Sequence, residues 1–158
     1  MPRSHSFDRG DVDRSVTYLS ATPGHFQRAL ESLGEARFSQ QNRADQWSPL
    51  DILIHLRSAD AILTTRIWTA LVQPDSVFAS MDERRYGDLL TRAGLSAAEH
   101  VAAFNLRRSE LVGLLRSLSA DEWETTVWRA PLWRLVTDLP DHEAEHLNQL
   151  EALLESIH

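Results

Sequence analysis

His142 and His146 stand four residues apart in Asp141-His142-Glu143-Ala144-Glu145-His146-Leu147. On an α-helix, at about 100° per residue, the two imidazoles lie about 40° apart and one turn apart in height. Both rings can then reach one ion, which is why histidine pairs at this spacing recur in metal sites. By the same rotation from His142, Leu150, Leu153 and Ile157 fall at about 80°, 20° and 60°, so the pair lies within its helix's apolar stripe. Adjacent imidazoles turned toward a core are costly unless something satisfies their nitrogens. His55, in Ile52-Leu53-Ile54-His55-Leu56, is a polar residue in the most apolar stretch of the chain. Three neutral imidazoles converging inside a bundle from two helices would form a facial site for a divalent ion, leaving positions for water or substrate. Taken singly, a histidine on an apolar helix is more often a hydrogen-bonded core residue, and HxxxH pairs also occur on surface helices; the three together carry the metal reading. His5, His25, His100 and His158 read as terminal or surface-placed.

Composition narrows the chemistry. The chain has no Cys, and its 16 basic residues are all Arg. Disulfides, thiolate nucleophiles, iron–sulfur clusters, Schiff-base lysines and a P-loop lysine are therefore excluded. The six glycines are scattered without dinucleotide-loop spacing. A nucleophile would have to come from a metal-activated water or from the thiol of a small ligand, since a divalent ion can lower the pKa of bound water toward about 7 and deprotonates bound thiols more readily. Asp51, one turn before His55, reads first as a helix cap. Glu143 and Glu145 read as solvated residues near a helix start. The five tryptophans, Trp47, Trp68, Trp123, Trp128 and Trp133, read as core and loop anchors rather than a substrate cage. Arg84, Arg85 and Tyr86 could meet an acidic substrate or a thiol cofactor, although a solvated loop is the simpler reading.

The elements that must position these groups are helical nearly throughout, with no convincing strand alternation. Residues 1–10 read as a loose arm. A first helix is predicted over about 11–33, with a kink or restart at Thr22-Pro23. After a polar connection, Ser48-Pro49-Leu50-Asp51 has the form of a capping box with proline at the first helical position, opening a helix to about Val72. Residues 73–95 form a long crossover, a length that often marks function. Ser96-Ala97-Ala98-Glu99 opens a helix to about Leu118, and Ser119-Ala120-Asp121-Glu122 heads a short turn. The last helix is predicted over about 132–157, broken or bent at Pro140. The 158 residues fit one domain. The predicted fold is all-α, a four-helix bundle with a long crossover between helices 2 and 3.

A net charge of −7 disfavours binding to a phosphate backbone, so no nucleic acid partner is expected. No secretion signal and no membrane-spanning run are apparent, which predicts a soluble cytoplasmic protein with no membrane partner. The expected partner is a small-molecule substrate, and a homodimer stays open.

The run Trp47-Ser48-Pro49-Leu50-Asp51-Ile52-Leu53-Ile54-His55-Leu56 resembles the second-helix signature of the DinB/YfiT-like superfamily. The run from His142 to Leu150, two histidines four apart followed by Leu147 and Gln149, resembles its last-helix signature. The first helix through Thr22-Pro23 and the Ser96–Leu118 helix with Arg107 and Arg108 also fit, so the resemblance spans nearly the whole chain. It implies a four-helix bundle holding a divalent metal, most often nickel or zinc with manganese or iron admissible, on three histidines. By position these are His55, His142 and His146. It also implies a hydrolase, or an S-transferase or isomerase that uses a low-molecular-weight thiol. Pro140, two residues before His142, departs from the family's unbroken approach to these ligands. The competing expectation is a non-catalytic bundle, its metal structural or absent, that serves as a protein-interaction module.

Overall fold

The computed structural model describes residues 6–157, leaving His5 and His158 outside the described residues. Among the described residues six helices run in order: α1 (Arg9–Phe38), α2 (Pro49–Val72), α3 (Glu83–Arg92), α4 (Ala97–Ser117), α5 (Ala120–Trp123) and α6 (Leu132–Ile157). The four long ones, α1, α2, α4 and α6, form the bundle, and α1 packs most extensively against α4 and α6. Helices 2 and 3 of the expected bundle are thus α2 and α4. The crossover between them carries the short α3, which packs on α2. Among the described residues, no helix is long and apolar enough to cross a membrane.

The caps read from sequence are present. Ser48 Oγ accepts from the Asp51 amide at 3.1 Å while Asp51 Oδ2 accepts from the Ser48 amide at 2.8 Å. Ser96 with Glu99, and Ser119 with Glu122, close the same reciprocal pair.

Four expectations need correction. The first helix starts at Arg9, inside the predicted loose arm, because Asp8 accepts from the amides of Gly10 and Asp11. Pro23 lies inside α1 without breaking it, and the non-helical residue is Gly34, at φ 73°. Proline removes the donor that would bond the carbonyl four residues back, that of Leu19. Arg108 Nη1 donates to that carbonyl instead, at 3.0 Å. Pro140 likewise lies within a single α6. Finally, Thr126–Val127 (β1) pairs antiparallel with Ala130–Pro131 (β2). A two-residue ladder is too short to leave an alternation in the sequence.

The core consists of two apolar clusters. One gathers Val16, Leu19, Ile67, Leu111, Leu115, Trp123 and Val136. The other gathers Phe26, Phe38, Ile52, Leu53, Phe104, Leu147 and Leu150. Each long helix contributes to both, and between its two contributions lie buried polar residues, among them Thr22 on α1, Asp60 on α2, Arg108 on α4 and Glu143 on α6. These four meet in one layer. Arg108 donates to Glu143 through both Nη atoms, at 2.6 and 3.1 Å, and pairs with Asp60 at 3.0 Å. Thr22 Oγ1 donates to Glu143. Glu143 is therefore buried and paired, not solvated.

Candidate metal centre

The Ser48 cap sets the start of α2 and thereby the phase at which His55 leaves it two turns later. Helix α6 delivers His142 and His146 one turn apart from the opposite side. One ring nitrogen from each of the three histidines lies within 4.8 Å of the others. The ring centroids are 4.5 Å apart for His55–His146, 4.7 Å for His142–His146 and 5.5 Å for His55–His142. The structure thus brings together the three residues singled out in the sequence. It places them at the margin of the bundle, not deep inside it: His146 is buried, while His55 and His142 are partly exposed.

Hydrogen bonds orient two of the rings. His55 Nδ1 donates to Glu83 Oε1 of α3 at 2.8 Å, and His146 Nδ1 donates to Gln149 Oε1 at 2.9 Å. A proton fixed on Nδ1 leaves Nε2 as a lone pair, the arrangement that metal-binding histidines commonly share. Burial lowers the pKa of His55 below its ordinary value and the neighbouring His146 and His142 add to this, while Glu83 opposes it. His55 is accordingly neutral near pH 7 and able to act as a ligand.

The donor set fits an ion. His142 Nε2 and His146 Nε2 are 3.3 Å apart. Two metal–nitrogen bonds of about 2.0–2.1 Å meeting at a tetrahedral angle separate their nitrogens by roughly this distance. Three imidazoles without thiolate or carboxylate suit zinc, nickel or iron.

Trp47 covers one side. Its ring stacks on His146 at 6.1 Å and 16° and lies 5.3 Å from that of His55. It is a wall of the site and not a core anchor, being 46% exposed. Trp47, Ile52, His146, Gln149 and Leu153 line a groove of about 370 Å³, a size that suits a small molecule.

Glu83 stands beside Arg84, Arg85 and Tyr86 in the crossover, and the unusual length of that crossover is its only signal in the sequence. Arg84 and Arg85 are exposed. Asp51 caps α2, as read. His100 is buried, against the surface placement expected, and contacts Arg57.

The sequence profile of the DinB superfamily matches residues 18–150. No curated protein matches the sequence significantly. Among solved structures, YfiT from Bacillus subtilis, described as a probable metal-dependent hydrolase with an unusual four-helix bundle topology, superposes with a TM-score of 0.82. The two share 15% identity, over 99% of this chain and 93% of YfiT. At that identity the likeness establishes the fold.

Proposed function

The chain belongs to the DinB superfamily, and from that premise we propose that it is a divalent-metal-dependent enzyme acting on a small-molecule substrate. His55, His142 and His146 hold the ion, with nickel or zinc foremost and manganese or iron admissible. The observation that carries this reading is the convergence of the three imidazole nitrogens within 4.8 Å. Held there, a divalent ion would supply Lewis acidity, the chemistry that makes water or a small thiol nucleophilic near neutral pH.

The chain's own residues prepare the site. Glu83 and Gln149 hold the Nδ1 protons of His55 and His146, which keeps the two Nε2 lone pairs aimed inward. Trp47 shields the rings on one side from water, and the groove beside it provides the substrate surface. That groove is mostly apolar, with Asp45 as its one acidic residue. The reaction class follows from the nucleophile. Hydrolysis needs only water and is supported by the description of YfiT. S-transfer or isomerisation would add a low-molecular-weight thiol at the same position.

Metal content tests the proposal. Protein purified without chelator is assayed for nickel, zinc, manganese and iron, alongside His146→Ala. Near-stoichiometric metal in the wild type and at least a tenfold drop in the variant is the expected result. Equal, negligible metal in both would overturn the reading. Assays of the metal-loaded protein with ester and amide substrates, with and without a thiol, then separate hydrolysis from thiol chemistry.

A further inference from the structure

Arg57 leaves α2 about 200° around the helix from His55 and is only 7% exposed. Among the described residues, no ion pair includes it. Its Nη1 contacts Nδ1 of the buried His100, and its Nε is buried without a hydrogen-bond partner. His100 is neutral, because burial and the Arg57 charge both lower its pKa, so it accepts a hydrogen bond but cancels no charge. A guanidinium cannot shed its proton, and a buried charge without a counter-charge is costly.

Arg57 lines a cavity of about 20 Å³ between α2, α3 and α4, together with Asp60, Tyr86 and a second cation, Arg107. Asp60 offsets this pair only in part, since its single charge is shared between Arg108, which it contacts at 3.0 Å, and Arg107. A water would fit the space and supply hydrogen bonds, yet it would leave two like charges facing each other. The enclosed part of the space holds roughly one or two water-sized oxygens. A planar two-oxygen group also matches the fork of a guanidinium.

We propose that this cavity is a second ligand site, separate from the histidine cluster, that takes the carboxylate head group of a small organic acid between Arg57 and Arg107. Its occupant would also fasten α3 to the bundle, because Tyr86 lies one turn after Glu83, the residue that orients His55.

The probe is sodium acetate, compared with sodium chloride at equal ionic strength and with neutral acetamide. Binding is followed by thermal shift and by ¹³C-acetate titration. Acetate alone is expected to give a saturable rise in Tm. The effect should persist in chelator-treated His146→Ala, which places it away from the metal ligands whether or not an ion binds there. Arg107→Gln, at an exposed position, should keep the fold and weaken acetate at least tenfold; Arg57→Met should abolish binding. Three results would each overturn the proposal: acetate behaving like chloride, loss of the effect in His146→Ala, or Arg107→Gln binding acetate as tightly as the wild type. The Arg107 comparison decides the matter even where Arg57→Met fails to fold.

Discussion

Glu143 takes both Nη atoms of Arg108 in a buried bidentate pair, at 2.6 and 3.1 Å. The carboxylate lies one residue after His142, so the ion pair that joins α4 to α6 also fixes the turn of α6 from which two of the three clustered histidines project. Arg108 reaches Asp60 on α2 and the Leu19 carbonyl on α1 as well. One side chain thereby touches all four helices of the bundle.

Arg108→Ala is expected to destabilise the fold by about 3–5 kcal/mol, because it strands two buried carboxylates without a counter-ion. Replacing the whole group, with Arg108→Met, Glu143→Leu and Asp60→Leu together, should recover most of that loss, since well-packed apolar residues often match a buried ion pair. Urea unfolding of the two variants checks this. A combined variant less stable than Arg108→Ala would contradict it.

The Leu19 carbonyl supplies a sharper test. Pro23 removes its helical donor and Arg108 replaces it. In Pro23→Ala the regained amide competes for the same oxygen. A double-mutant cycle between Pro23→Ala and Arg108→Ala should therefore show coupling of about 0.5–1.5 kcal/mol, the net worth of one hydrogen bond, with Arg108→Ala costing less in the alanine background. Strictly additive effects would show that the two donors do not share the acceptor.

Much of this was legible in the sequence because it is local. Ser48-Pro49-Leu50-Asp51 announces a helix start through four adjacent residues, and His142 with His146 declares a shared face through one helical turn. His55 could be joined to them only by supposing that its helix faced the last one, which it does. What could not be read depends on distant partners. Pro23 looked like a break because its remedy, Arg108, lies far along the chain. Glu143 reads as solvated because a break at Pro140 would put it near a fresh helix start, whereas α6 continues through Pro140 without restarting. Glu83 meets His55 only because the crossover folds back over α2, and no periodicity encodes that path.

Asp60 gives a pH dependence with a definite sign. Burial raises its pKa, Glu143 adds to the rise, and Arg108 and Arg107 oppose it. Tyr86 shares its cavity. A carboxyl whose folded pKa exceeds its unfolded value, about 3.9, contributes stability below that value and loses it as pH rises through the folded pKa. The stability of the wild type relative to Asp60→Asn should therefore fall as pH rises from about 4 through the raised value, then level off. Urea unfolding of both proteins from acid to neutral pH measures the difference. A rising difference would mean that Arg108 outweighs burial.

Glu83 and Gln149 contact His55 and His146, so on the proposed function their effect on metal affinity passes through those rings. Glu83→Gln retains a hydrogen-bonding group but loses the charge, and Gln149→Leu removes the acceptor. Removing such partners typically costs 10- to 100-fold in metal affinity, roughly, while leaving the ligands in place. Chelator-competition titrations should show losses of that order in Gln149→Leu and smaller ones in Glu83→Gln, with helicity by circular dichroism unchanged. Affinities equal to wild type in both would remove these residues from the site.

Trp47 turns ion binding into an optical signal. Its ring lies 5.3 Å from that of His55 and 6.1 Å from that of His146. Trp123 and Trp133 belong to the other apolar cluster, and Trp128 stacks under Arg66 on the hairpin. A paramagnetic ion quenches indole emission only at short range, so Ni²⁺ added to metal-free protein should dim Trp47 selectively. The quenching should saturate at one equivalent and disappear in Trp47→Phe, while equilibrium dialysis shows that the variant still takes up nickel. Quenching that survives in Trp47→Phe would place the ion near another indole and away from the three histidines.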